Sequence, residues 1–132
     1  MKAGIRLQQD TLDDFRPVTT IAEGAAVSSS VPVSKIGPRG FAVILPAAWT
    51  AADIGIDVSV DGDTWHPLKN ADGRVKITDV GTSNDPRPLR SFPAEAWAAG
   101  VFEFVRLVSI NTSTEASVNQ AAARELTLVL LS

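Results

Sequence analysis

The chain has 132 residues, 45% hydrophobic and 20% charged, a balance that fits one folded domain and argues against bulk disorder. It contains no cysteine, which excludes disulfides and thiolate metal sites, and its net charge of −3 comes without the basic run that a nucleic-acid groove needs. No apolar run approaches the ~20 residues of a membrane span, and MKAGIRLQQD has no apolar stretch after its Lys and Arg, so the expectation is a protein without a signal peptide that folds in a cytoplasm.

Residues 1–18 show no sustained period. They read as an N-terminal arm, with one short strand at residues 5–7 or as a loosely ordered terminus. From Thr19 the pattern changes. Ala25, Val27, Ser29, Val31 and Val33 alternate with Ala26, Ser28 and Ser30, which predicts a half-buried strand, and Pro32 places it at a sheet edge. Residues 35–40 are turn chemistry, and residues 41–45 are a short apolar run expected to form a strand buried on both faces. Residues 46–53, alanine-rich behind Pro46, predict a short helical turn.

Residues 54–61 alternate again: Ile54, Ile56, Val58 and Val60 on one face, Gly55, Asp57, Ser59 and Asp61 on the other. Asp61-Gly62 is the signal of a two-residue hairpin turn, with Trp65 on the return strand. A second Asp-Gly, at 72–73, precedes another alternating segment at 74–78; residues 79–91, polar and with two prolines, read as a loop. Residues 93–100 predict a second helical turn, Pro near its start and Gly at its end. Residues 101–110 are the longest strand candidate, 111–124 a small-residue loop of a length that suggests an interface, and 126–130 a final strand. The sum is an all-β protein, an antiparallel β-sandwich or jelly roll with two short helical turns and an extended N-terminal arm. The segments around Trp49 and Trp97 are alike, either a weak internal echo or one solution used twice, a Trp closing one end of the core.

The segment IDVSVDGDTWHPL carries three aspartates and the only histidine, so it is where chemistry would be sought. An EF-hand loop needs alternating oxygen ligands and a distant Glu, which are missing after Asp61-Gly62-Asp63. Asp57 and Asp61 on one strand face lie roughly 13 Å apart, too far to share an ion. His66 has no second His or Cys for zinc, and no Ser sits in a G-x-S-x-G elbow. Paired carboxylates, phosphate loops and dinucleotide fingerprints have no recognisable context. The segment therefore reads as a hairpin, with a weak calcium ion at Asp61 and Asp63 as the lesser alternative, and no catalytic residue, metal or cofactor is expected. Trp49, Trp65 and Trp97 are read first as core anchors. The alternative is a carbohydrate rim formed by Trp65, His66, Arg87 and Arg90.

The stretches FAVILPAAWTAADIGIDVSVDGDTWHPL, FEFVRLVS and SVNQAAARELTLVLL together resemble a family of small proteins encoded in the structural gene blocks of tailed bacteriophages and prophages. The likeness covers about residues 19–131, with residues 46–50 and 118–124 its most specific pieces. The middle motif is also similar to discoidin or galactose-binding jelly rolls, in which the Trp and Arg are mostly core and scaffold. What the phage resemblance implies is a non-enzymatic virion component: a capsid decoration (cement) protein bound to the shell of the major capsid protein, at the capsid surface, as a dimer or trimer, with no nucleic-acid or membrane partner. A low-copy head-fibre, connector or tail part is the neighbouring alternative, and a carbohydrate-binding module the more distant one. The expected organisation is an arm at 1–18 and a β-sandwich domain at 19–132. Partner contacts are expected from Arg6, Leu12, Asp13, Asp14, Phe15 and Arg16 on the arm, and from Asn111, Thr112, Glu115, Asn119 and Gln120 on the long loop.

Overall fold

A computed structural model describes residues 16–33, 40–78, 80–81 and 89–131, with backbone only for Ala94, Trp97, Gly100 and Leu131. Two antiparallel sheets enclose one core. The first has strands β1 (Val18–Ile21), β3 (Gly40–Ile44), β9 (Leu89–Ser91) and β11 (Arg124–Leu131) in the order β1-β11-β3-β9. The second has β2 (Val31–Pro32), β4 (Asp53–Ser59), β5 (His66–Pro67), β8 (Lys76–Ile77) and β10 (Phe104–Ile110), in the order β2-β10-β4-β5 with β8 also on β4. A small ribbon, β6 (Lys69–Asn70) with β7 (Gly73–Arg74), completes the set. This is the all-β sandwich that the alternation predicts.

The core is built as period two requires. Ile54, Ile56 and Val58 from β4 and Val105 and Leu107 from β10 meet Phe41 and Val43 from β3 and Leu126, Leu128 and Leu130 from β11. A 3-10 helix, Ala94–Val101, follows Pro93 where a helical turn is expected. Its three-residue period aligns Ala96 and Ala99, both fully buried, against that core.

Five elements differ from the sequence reading. Residues 41–45 give the strand β3, but it is not buried on both faces, because Ile44 on its outer face is 40% exposed. Residues 46–53 form no helical turn. The backbone N–H and C=O of Thr50 go instead to the side chain of Gln120, at 2.9 and 3.0 Å, so they are not available to a local turn. Residues 25–33 form no continuous strand. The segment crosses from one sheet edge to the other, bridging Ser28 to Ile21 of the first sheet and Val27 to Val108 of the second, and only Val31–Pro32 is regular, at the edge where Pro32 is tolerated. The Asp61-Gly62 turn is not two residues long: Val58 pairs with His66, leaving a loop between them, and Trp65 precedes the strand. Finally, the end of the segment read as a loop, Leu89–Ser91, pairs with β3. At the other end of the chain, β1 begins at Val18, and the Pro17 carbonyl already accepts the Leu128 N–H, so the sheet starts slightly before Thr19.

Gln120 is the joint of this architecture. It is 1% exposed, and besides Thr50 its amide donates to Ser109 Oγ at 2.9 Å and accepts from Arg124 Nε at 3.2 Å. Its own backbone N–H donates to Ala25. Nearby, Gly81 holds φ +79°, and a Cβ there would lie 2.7 Å from Trp49 Cδ1, so the half-buried indole packs directly on the glycine. Substituting Gln120→Ala leaves the Thr50 N–H and C=O without these partners in a half-buried setting. The expected loss is about 2–4 kcal/mol, read as a lower urea midpoint with an unchanged m-value.

Candidate functional site

The outer face of β4 carries the residues that raise the question of chemistry. All seven residues of the strand are buried, so Asp53, Gly55, Asp57 and Ser59 are covered as fully as the core side. The cover is polar. Asp57 is 9% exposed and receives two guanidinium groups: Arg74 Nη2 on Oδ1, and Arg106 Nε on Oδ2 at 3.0 Å. Arg106 is opposite Asp57 in the β10–β4 register, so the pair is a direct cross-strand partner, and Arg74 arrives from β7. Gly55 makes room for it. A Cβ at residue 55 would stand 3.1 Å from Arg74 Nε.

Along the same strand, Asp53 accepts the Thr112 hydroxyl at 3.0 Å and lies 3.4 Å from Lys76 Nζ. Lys76 also reaches Glu115 Oε2 at 3.2 Å, and the same oxygen accepts the Arg74 backbone N–H at 3.3 Å. Glu115 sits in a left-handed conformation (φ 60°), the sharp point of a loop closed by Asn111, whose Oδ1 accepts from the N–H groups of Ser113 and Thr114. The cationic hydrogen bond from Lys76, then the Arg74 N–H and the nearby positive charges, hold the Glu115 carboxyl below its ordinary value.

Asp61 has a different task. Its Oδ1 accepts the N–H groups of Thr64 and Asp63, at 2.9 and 2.8 Å, and the Ser59 hydroxyl at 3.0 Å. These bonds, the backbone ones first, lower its pKa. This is an Asx turn, and Gly62 at φ +83° completes it. His66 is exposed at the sheet edge. Among the described residues, no group of three or more His, Asp or Glu side chains is placed to hold a metal ion.

The expected site residues are therefore dispersed. Arg6, Leu12, Asp13, Asp14, Phe15 and Arg87 lie outside the described residues; Arg16 is exposed where the description begins. Asn111, Thr112 and Asn119 are exposed on the loop, and Glu115 is half-buried and tied to Lys76. Gln120, expected to contact a partner, is instead buried and bonded inward. Of the sugar-rim set, Trp65 and His66 adjoin one another at the edge of the second sheet, whereas Arg90 is on β9 of the first, its Nη2 donating to Thr78 at 2.9 Å. Arg106 lies 4.5 Å over the Trp65 ring, so a cation covers one face of the indole.

A feature that single-sequence reading missed lies on the opposite side. In the first sheet the register aligns Val18 with Thr127, Thr127 with Ile44, and Ile44 with Leu89. Val18, Ile44 and Leu89 are 56%, 40% and 56% exposed. They form an apolar row of about 14 Å across four strands, taking about 4.8 Å per strand. Glu125 and Thr20, paired with each other, flank it on the same face. No family model matches the chain, and no curated protein or solved structure was matched. No helix among the described residues is long and apolar enough to cross a membrane.

Two outcomes test the charged face. Asp57→Ala leaves two largely buried guanidinium groups facing each other without an anion, with an expected cost of about 3–5 kcal/mol in chemical denaturation; Asp57→Asn should recover part of it. The depressed carboxyls of Asp61 and Glu115 stabilise the native state in full above their ordinary values of 3.8 and 4.5. That contribution is lost as pH falls through their lower native values. Amide exchange in residues 59–65 and 111–118 should therefore accelerate on acidification below that range, relative to strands β4 and β10.

Proposed function

We propose that this chain is a non-enzymatic structural protein of a tailed-phage particle, a capsid decoration protein that binds the shell of the major capsid protein. The observation that carries the reading is the exposed apolar row Val18–Ile44–Leu89 on the face of a regular sheet. An ordered row of exposed apolar side chains on a sheet face supports a protein-contact surface. The polar groups that the sequence offers for chemistry are committed elsewhere. Asp57, Asp53 and Glu115 are bound to Arg74, Arg106 and Lys76, and Asp61 is bound to its own turn.

The phage resemblance adds to this. Its two most specific pieces, residues 46–50 and 118–124, are bonded to each other through Thr50, Gln120 and Arg124. The likeness thus falls on residues that hold the two sheets together. The exposed loop residues Asn111, Thr112 and Asn119, on a loop fastened by Glu115, offer a second contact for the shell.

Quantitative mass spectrometry on purified particles from the source of this sequence tests the reading. A copy number within a few-fold of the major shell protein is expected. A few dozen copies or fewer would move the protein to the portal, a head fibre or the tail, and absence from the particle would overturn the virion assignment.

A further inference from the structure

The outer face of the second sheet sets one primary amine against two carboxyl groups. Lys76 Nζ, from β8, stands 3.4 Å from Asp53 Oδ2 on the adjacent strand β4 and 3.2 Å from Glu115 Oε2 on the 111–118 loop. The register brings the first pair together. Lys76 is opposite Gly55, so Asp53, two residues along the same face of β4, is its diagonal neighbour.

The two acids are held differently. Asp53 is fully buried, and its Oδ1 accepts the Thr112 hydroxyl at 3.0 Å, which leaves Oδ2 as the oxygen turned to the amine. Glu115 is half-buried at φ 60°, a backbone conformation uncommon for a residue with a side chain, and its Oε2 also accepts the Arg74 N–H. A proton shifted from the Lys76 ammonium to Asp53 leaves a neutral amine and a neutral acid beside the Glu115 carboxylate. Desolvation costs both charges of an ion pair and neither member of that neutral pair. The hydrogen bond from Lys76 is the first cause of the low Glu115 pKa. Once the ammonium has given up its proton that cause weakens, and Glu115 becomes a better base.

We propose that Lys76 and Asp53 join in an intramolecular isopeptide bond, with Glu115 as the proton carrier. The neutral Lys76 Nζ attacks Cγ of the protonated Asp53 carboxyl. Glu115 takes the proton that Nζ releases, while the Thr112 hydroxyl donates to Oδ1, where negative charge develops. Glu115 then passes that proton to Oδ2, the Cγ–Oδ2 bond breaks, and the oxygen leaves as water. One C–N bond replaces one C–O bond, an amine and a carboxyl become an amide and water, and nothing is oxidised or reduced. The two strands hold amine and carboxyl near the ~3–3.5 Å separation at which such a step is effectively unimolecular. The ion-paired arrangement described above is the state before the bond forms. Afterwards residues 53–76 are a closed ring that includes Asp57 and Arg74, so the polar cover of this face is fastened covalently. The bond forms once per chain without turnover, which is compatible with a structural role, and it does not depend on which particle the protein joins.

The test weighs the full folded chain by intact-mass spectrometry. It should be lighter than its sequence by one water molecule. The Asp-Gly steps at 61–62 and 72–73 can also lose water, by imide formation, so the junction has to be located. Trypsin should fail to cut after Lys76 and should release a branched peptide whose fragments join Asp53 to Lys76. Lys76→Arg should have its full sequence mass, and Glu115→Gln should form the bond about a hundredfold or more slowly, followed as the lighter species accumulating after refolding. A folded chain that keeps its full sequence mass overturns the proposal. So does a water loss that persists in Lys76→Arg, or a junction between Lys76 and Glu115. Bond formation at an unchanged rate in Glu115→Gln overturns the part given to Glu115. The mass and the branched peptide of the unaltered chain decide the main point even if a variant fails to fold.

Discussion

Asp57 stands on the outer face of β4, almost wholly withdrawn from water, opposite Arg106 on β10. A carboxylate in that position has to be met by cations, because its desolvation is otherwise uncompensated. Arg106 alone comes from the sheet. The second cation, Arg74, belongs to a ribbon that must fold over the strand to deliver it. Just beyond it, β8 places Lys76 between Asp53 and Glu115, and Glu115 fixes the 111–118 loop. The outer layer of this half of the molecule is thus arranged around the need to neutralise two buried aspartates on one central strand.

That layer shows what the polar groups of the segment with the only histidine are bonded to. Its aspartates divide into a buried one held by arginines and an exposed one that closes a turn, and His66 is left at the edge of the sheet. Among the described residues, no comparable polar cover lies over the row of Val18, Ile44 and Leu89 on the opposite sheet. One face is sealed by ion pairs and the other offers apolar contact. The proposed role rests on that asymmetry.

Much of the fold was legible from local pattern. The strands expected at residues 41–45, 54–61, 101–110 and 126–130 overlap β3, β4, β10 and β11, with β4 ending at Ser59 and β10 beginning at Phe104, and inward residues such as Ile54, Ile56 and Val58 are in the core. The 3-10 helix follows Pro93 for the reason the composition suggests. The alternation failed where the chain leaves one sheet for another, at residues 25–33, because a crossing segment takes partners from two directions and no single face stays inward. It failed at residues 46–53 because Thr50 takes its hydrogen bonds from Gln120, seventy residues away. Proline and alanine signal only what is locally allowed.

The sequence by itself determined the β class, the central strands and their core faces, since these follow from period two within a few residues. It also marked the Asp-Gly turns. Tertiary structure alone decided that the polar face of β4 is buried, that Gln120 points inward, and that Val18, Ile44 and Leu89 share a row. Each of these is a relation between segments far apart in the chain. Burial of the second face depends on what packs over a strand, and a cross-strand row depends on the register of four strands at once. Neither is a property of any one stretch of residues, and so neither could be read from one.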